Sequence, residues 1–190
     1  MNDLRSGARV APGSLRRRAQ LLYHRGDLAI TAIRGNVDTR LRKLDRGEAD
    51  ALIMAAAGLI RIGRTECISE YLSDDVCVSA VAQGALGIES RADGSMREML
   101  AFLHDSSTHA EVSAERSLLQ RLGGDCHVPI GARARVEGDA LKMIGIVASP
   151  DGKSLCKGII AGEASDAAEL GRQLAERLLK DGADKILTLT

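Results

Sequence analysis

The order of apolar and polar positions divides the chain into two differently built parts. In the first, short apolar runs alternate with short helical patterns. Ser14 stands before Leu15, Ala19 and Leu22 at helical spacing and Gly26 follows, which predicts a helix over 15–23 with Ser14 as N-cap. Residues 28–33 form an apolar run of strand length, and a second helix is predicted from Val37 or Thr39 to Arg46, closed by Gly47. Residues 51–57 are continuously apolar, as in a strand covered on both faces of a parallel sheet, although their alanines also suit a helix. A brief helix over 58–61 and a short third strand over 76–78 complete an alternation that predicts an α/β unit.

Beyond about residue 105 the period changes. Ser107 or Thr108 is the expected cap of a helix over 110–121, which Gly123 and Gly124 stop. Three strand-like segments follow at 128–136, 141–148 and 155–160, separated by Glu137-Gly138-Asp139 and Ser149-Pro150-Asp151-Gly152. Turn signals this close predict an antiparallel meander. A last amphipathic helix is predicted over 166–180, with Ala167, Leu170, Leu174, Leu178 and Leu179 on its apolar face. The expected fold is α/β followed by α+β, the second unit being a small three-stranded antiparallel sheet with flanking helices.

Composition narrows the function classes. At 190 residues, two small domains fit better than one. Apolar residues make up 45% and charged residues 27%, which permits a packed core. Aromatic residues reach only 2% (Tyr23, Tyr71, Phe102), so the core is aliphatic and nucleic acid held on stacking platforms is disfavoured. The longest apolar stretch, 51–60, is about half of the roughly 20 residues that a membrane helix needs. Met1-Asn2-Asp3 opens a polar segment unlike a secretory signal, so a cytoplasmic location is expected. Cys67, Cys77, Cys126 and Cys156 lie apart without C-x-x-C spacing, which predicts free thiols and no metal site.

Net charge is zero, yet residues 1–46 hold eleven Arg or Lys against four acids, an excess that favours an anionic ligand. Several of these arginines fall at predicted strand-to-helix junctions. Arg16 and Arg17 lie in the first turn after Ser14, Arg34 ends one strand, Arg40 begins the next helix, and Arg61 follows the next strand. In open α/β sheets ligands bind beyond the carboxyl ends of the strands, and guanidinium groups pair with carboxylates through two parallel hydrogen bonds. One crevice holding several such forks implies a ligand with several acidic groups. The competing reading of an Arg-rich segment is a solvated helix face, to which Arg18, Arg25, Arg42 and Arg46 are assigned.

Five motifs stand in order along the chain: Ser14-Leu15-Arg16-Arg17, Arg34-Gly35-Asn36-Val37-Asp38-Thr39-Arg40, Lys43-Leu44-Asp45-Arg46-Gly47-Glu48 with Ala56-Ala57-Gly58-Leu59-Ile60-Arg61, Ala82-Gln83-Gly84-Ala85-Leu86-Gly87-Ile88-Glu89, and Gly124-Asp125-Cys126-His127-Val128-Pro129-Ile130-Gly131. They resemble, in the same order, motifs of the hydroxymethylbilane synthases (porphobilinogen deaminases). The first is similar to the family's T-S-S-L-R-R, the second to its R-G-N-x-x-T-R, the third to the block that follows, the fourth to G-Q-G-A-x-G-I-E and the fifth to the G-G-C-x-V-P-I-G loop.

The resemblance implies an enzyme of tetrapyrrole biosynthesis that condenses porphobilinogen units onto a dipyrromethane primer and releases ammonia. Cys126, on an accessible loop, would carry the dipyrromethane through a thioether, with Ser14, Arg16, Arg17 and Arg40 holding its carboxylates. Arg34 and Arg61, with Gln83 at the hinge, would meet porphobilinogen and the linear polypyrroles. The implied organisation is part of a periplasmic-binding-protein-like α/β domain over 1–104 and a cofactor-attachment domain over 105–190. Within the first, 85–103 would return to a further, N-terminal domain, leaving Leu86, Ile88, Leu100 and Phe102 without packing partners. The family's catalytic Asp belongs to that further domain, and no residue here matches its motif. The chain alone is therefore expected to be inactive and without cofactor, whether as one half of a split enzyme with a separately encoded first domain or as a non-catalytic anion-binding remnant.

Overall fold

The computed structural model describes residues 1–91, 94–123 and 128–188. Three short strands form a parallel sheet in the order β2-β1-β3, where β1 is Arg9–Ala11, β2 is Ala29–Ile30 and β3 is Ala51–Leu52. The central strand is one that the hydrophobic pattern does not signal, since three residues between Gly7 and Pro12 are too few to show a period. It nonetheless buries Val10 on one face, packed with Leu21, Leu28 and Ile53, and Ala11 on the other with Ile33 and Ala49, while Arg9 is exposed. Its carbonyls take Ala29 N–H at Ala8 (3.0 Å), Thr31 N–H at Val10 (2.9 Å) and Ile53 N–H at Ala11 (3.1 Å).

Three expected strands need correction. The strands expected over 28–33 and 51–57 shrink to two residues each in the ladder. Their shared neighbour β1 ends at Ala11, before Pro12, which has no N–H to donate, and the chain turns away through Gly13 at φ +67°. Beyond Ala55 the alanines adopt their helical preference, giving the short helix that is numbered α3 below. Segment 76–78 forms no strand among the described residues; a side chain takes the neighbouring strand's place. Val78 N–H donates to Gln20 Oε1 (2.7 Å), and Gln20 Nε2 donates to the Val78 carbonyl (3.1 Å).

The helices of this unit follow their caps. Helix α1 spans Leu15–His24, with Ser14 Oγ accepting Arg17 N–H at 3.2 Å. Helix α2 spans Val37–Asp45, capped by Asn36 through Thr39 N–H at 2.9 Å, and α3 spans Ala56–Arg61. Helix α4, Gly94–Leu100, lies in the segment leading to the second unit. Around it Leu86, Ile88, Met99 and Phe102 are exposed, while Leu100 is half-buried.

Helix α5, Ser106–Leu122, starts earlier than expected because Asp105 caps it, not Ser107 or Thr108. Asp105 Oδ1 accepts Thr108 N–H at 2.7 Å, and Gly123 ends the helix in the left-handed region. The meander follows as β4 (Ile130–Glu137), β5 (Ala140–Ala148) and β6 (Leu155–Glu163), antiparallel in that order. Helix α6, Ala167–Leu178, covers the sheet together with α5. Leu118, Leu141, Met143, Leu174 and Leu178 are fully buried between these layers. Glycines let the layers approach closely: a methyl group on Gly171 would land on the Ala114 carbonyl, and one on Gly158 would lie 2.9 Å from Leu174 Cδ1.

The two units meet along α1. Ala19 packs with Val78, Ile146 and Ala148, and the β5–β6 turn seats Gly152 against Leu22. Polar links reinforce the junction, with Arg133 Nη1 bound to Asp74 at 2.8 Å and Lys157 Nζ to Asp75 at 2.9 Å. Among the described residues, no helix is long and apolar enough to cross a membrane.

Candidate anion-binding site

The first unit holds a cavity of about 520 Å³ that Arg133 of β4 reaches from the second; Arg16, Arg17, Cys77 and Gln83 line it together with the acids Asp3, Asp50, Glu70 and Asp74. Helix α1 brings Arg16 and Arg17 here. Its buried face runs through Arg16, Ala19 and Gln20, so Arg16 must point into the protein and is only 9% exposed. The Arg16 guanidinium donates to the Val78 carbonyl and, at 3.3 Å, to Gln83 Oε1. Arg17 donates to the Ile53 carbonyl at 3.4 Å and to the same Gln83 oxygen at 3.5 Å.

Two positive charges therefore share neutral acceptors. Among the described residues, no carboxylate forms an ion pair with Arg16, Arg17 or Arg40, whereas Arg9, Arg25, Arg64 and Arg172 each have one. Burial holds the Arg16 and Arg17 guanidinium groups below their ordinary pKa, and neighbouring positive charge, Arg17 for Arg16 and Arg40 for Arg17, adds to the effect. Burial pushes the Cys77 thiol up, so this neighbour is a poor counter-ion at neutral pH. Partly desolvated cations without a counter-ion are costly, and an anionic ligand relieves that cost.

The other expected site residues are placed differently. Arg40 is half-buried at the start of α2; its Nε donates to the Gly35 carbonyl at 2.8 Å, and a methyl group on Gly13 would lie 2.8 Å from its Nη1. Arg34 is exposed in the loop before α2, and Arg61 is exposed in the last turn of α3. Neither these two nor Arg40 is among the residues lining the cavity. Ser14 is exposed, and its oxygen is already the α1 cap, which leaves its O–H free to donate. Cys126 lies outside the described residues.

Three residues that the sequence did not single out shape the site. Arg133 lines the cavity from β4, Gln20 holds Val78, and the buried carboxylate of Glu115 in α5 holds the segment next to Gln83. Arg133 was readable in principle, since it and Arg135 share one face of an alternating strand. Gln20 and Glu115 carried no comparable signal, being polar residues on otherwise apolar helix faces.

Fold and site together define a protein with a parallel α/β unit, an antiparallel α+β unit and a cavity at which two arginines stand without an ion-pair partner among the described residues. Two family models match: "Porphobilinogen deaminase, dipyromethane cofactor binding domain" over residues 1–98, and "Porphobilinogen deaminase, C-terminal domain" over residues 109–180. The chain belongs to the porphobilinogen deaminase family. Porphobilinogen deaminases of Trichlorobacter lovleyi and Syntrophotalea carbinolica are 49% identical over 187 residues and 50% identical over 186, covering 98% and 97% of this chain. That of Pelotomaculum thermopropionicum is 45% identical over 188 residues, 98% of this chain. The chain spans about 60% of the length of these relatives.

The donor set fits the cofactor that the first family model names. Arg16 and Arg17, without an ion-pair partner among the described residues, suit the carboxylates of a small chain of pyrroles in about 520 Å³, while the lining acids Asp50, Glu70 and Asp74 are held by Arg9, the N-terminal ammonium and Arg133.

Proposed function

We propose that this chain forms the carboxylate-binding and primer-anchoring part of a hydroxymethylbilane synthase. The observation that carries the reading is the pair Arg16 and Arg17, partly or wholly buried, without a carboxylate partner among the described residues, and converging on Gln83 at the cavity. Arg16, Arg17 and Arg40 would hold carboxylates of a dipyrromethane, with the Ser14 O–H as a further donor. Cys126 would anchor that primer as a thioether; its assignment rests on the similarity of its loop to G-G-C-x-V-P-I-G. Bound there, the dipyrromethane supplies the nucleophilic pyrrole carbon on which chain extension starts. The protein's own residues bind and orient acidic side chains and keep the growing polypyrrole from diffusing away.

Arg34 and Arg61, both exposed, are assigned to incoming porphobilinogen and the linear polypyrroles, and Gln83 to the hinge. We divide the chain into 1–104, read as part of a periplasmic-binding-protein-like domain, and 105–190, the attachment domain. A cytoplasmic site of action belongs to the same reading, which follows from the scattered thiols. Asp3, Asp50, Glu70 and Asp74 line the cavity, and none of them matches the family's catalytic motif, so no catalytic residue is assigned.

Two measurements test this. Calorimetric titration with benzenehexacarboxylate, a stable polycarboxylate, should give saturable, salt-sensitive binding that Arg16→Gln or Arg17→Gln weakens about tenfold to a hundredfold, the loss of a charge-assisted hydrogen bond. Binding unchanged in both variants would sink the anion-site reading. Mixing the chain with the part of the Trichlorobacter lovleyi relative that it does not span should produce hydroxymethylbilane from porphobilinogen, lost in Cys126→Ser. Anion binding with no turnover in that mixture would favour a non-catalytic anion-binding protein.

A further inference from the structure

Strand β4 is an edge of the antiparallel sheet, so its outward N–H groups have no strand partner. Side chains and loop backbone cap three of them in succession. Ala132 N–H donates to the Ser79 carbonyl at 3.0 Å, Ala134 N–H to Glu115 Oε1 at 2.8 Å, and Val136 N–H to Glu111 Oε1 at 3.0 Å. The two glutamates are four residues apart on α5, a rise of about 6 Å, close to the roughly 6.6 Å between alternate strand residues, so a helix beside a strand can serve its N–H groups in register.

Their second oxygens differ. Glu111 Oε2 faces Arg135 at 3.8 Å. Glu115 Oε2 instead accepts the N–H of Ala82 at 2.6 Å, in the segment that joins the two units. Ala82 is the one non-glycine residue with a positive φ among the described residues, at 58°, a conformation that L side chains disfavour. The next residue is Gln83, whose Oε1 lies 3.3 Å from Arg16 and 3.5 Å from Arg17. Glu115 is 6% exposed and Ala82 half-buried, so the bond between them is partly shielded from water.

We propose that Glu115 is a positioning residue for the anion cleft: its carboxylate ties β4 to Ala82, holds that residue left-handed, and so places the Gln83 amide oxygen between Arg16 and Arg17. Glu111 makes the same kind of edge cap without reaching the joining segment, and it separates this role from simple support of the sheet. The inference rests on the reading of the cavity as a carboxylate site.

Its test uses the 190-residue chain and benzenehexacarboxylate. A glutamine at 115 keeps one acceptor but turns an N–H₂ donor toward the other backbone N–H, breaking one of the two bonds. Glu115→Gln should weaken binding about tenfold, and Glu111→Gln should change it less than about twofold. Ala82→Gly, added to Glu115→Gln, should recover most of the loss, because glycine takes a positive φ without help. In parallel, amide hydrogen exchange at Ala82 should quicken in Glu115→Gln and not in Glu111→Gln. If Glu115→Gln does not fold, Glu115→Asp, too short to span both N–H groups, replaces it in the same comparison. Equal effects of the two glutamate variants, or no rescue by Ala82→Gly, would reduce Glu115 to an edge cap and overturn the proposal. A wild-type chain that binds no benzenehexacarboxylate refutes the carboxylate-site reading instead; unchanged Ala82 exchange in Glu115→Gln then overturns the positioning role separately.

Discussion

Replacing Gln20 by methionine isolates the side chain that stands in for a missing strand. Gln20 is 2% exposed and Val78 is 1% exposed, so neither water nor a mobile neighbour reaches the Val78 backbone. Methionine has similar volume, and little cavity or overpacking energy enters. What is lost is chemistry: Val78 N–H loses its acceptor at 2.7 Å, whereas the Val78 carbonyl keeps the Arg16 guanidinium as a donor. One orphaned buried N–H, not two orphaned groups, gives an expected destabilisation of about 2 kcal/mol, within the roughly 1–3 kcal/mol range for an unsatisfied donor. Because the chain has no Trp, urea unfolding is followed by far-ultraviolet circular dichroism. A loss below about 0.5 kcal/mol at unchanged slope would refute the reasoning, since it would mean that Val78 finds another acceptor without Gln20.

Gly152→Ala should destabilise by about 2–4 kcal/mol, because the residue has φ +72° and the added methyl would lie 2.5 Å from Leu22 Cβ and 2.8 Å from the Ala19 carbonyl oxygen. Gly138→Ala, at φ +63° in open space, is the control and should lose only about 1 kcal/mol in the same denaturation assay. Asp50 accepts Arg9 N–H at 2.7 Å and Arg9 Nη2 at 3.0 Å, and the Arg9 side chain and backbone hold its carboxyl down to about 2. A depressed folded pKa stabilises above the unfolded value and is lost as pH falls, so the unfolding midpoint should drop between about pH 4 and pH 2. The curve of Asp50→Asn should be flatter over that interval; parallel curves for the two proteins would contradict the assignment.

Much of this protein was legible in the chain itself. Local signals marked α1, α6 and the meander, because Ser14, the spacing of Leu170, Leu174 and Leu178, and the turn at Gly138 act within a few residues of where they stand. The motif arginines were legible too, and two of the five converge on the cavity, since Arg16 and Arg17 lie one helix turn from a cap that fixes their direction. Other features needed the folded chain. A three-residue strand such as Arg9–Ala11 has no period and exists only because Ala29 and Ala51 flank it. Asp105 took the cap from Ser107 and Thr108 by reaching Thr108 N–H first. Gln20, Glu115 and Arg133 gained their roles from partners 58, 33 and 59 residues away, at Val78, Ala82 and Asp74. Local sequence fixes dihedral angles and amphipathic faces, whereas the desolvation that leaves a buried N–H in need of an acceptor, or a guanidinium in need of an anion, arises only when distant segments close over it.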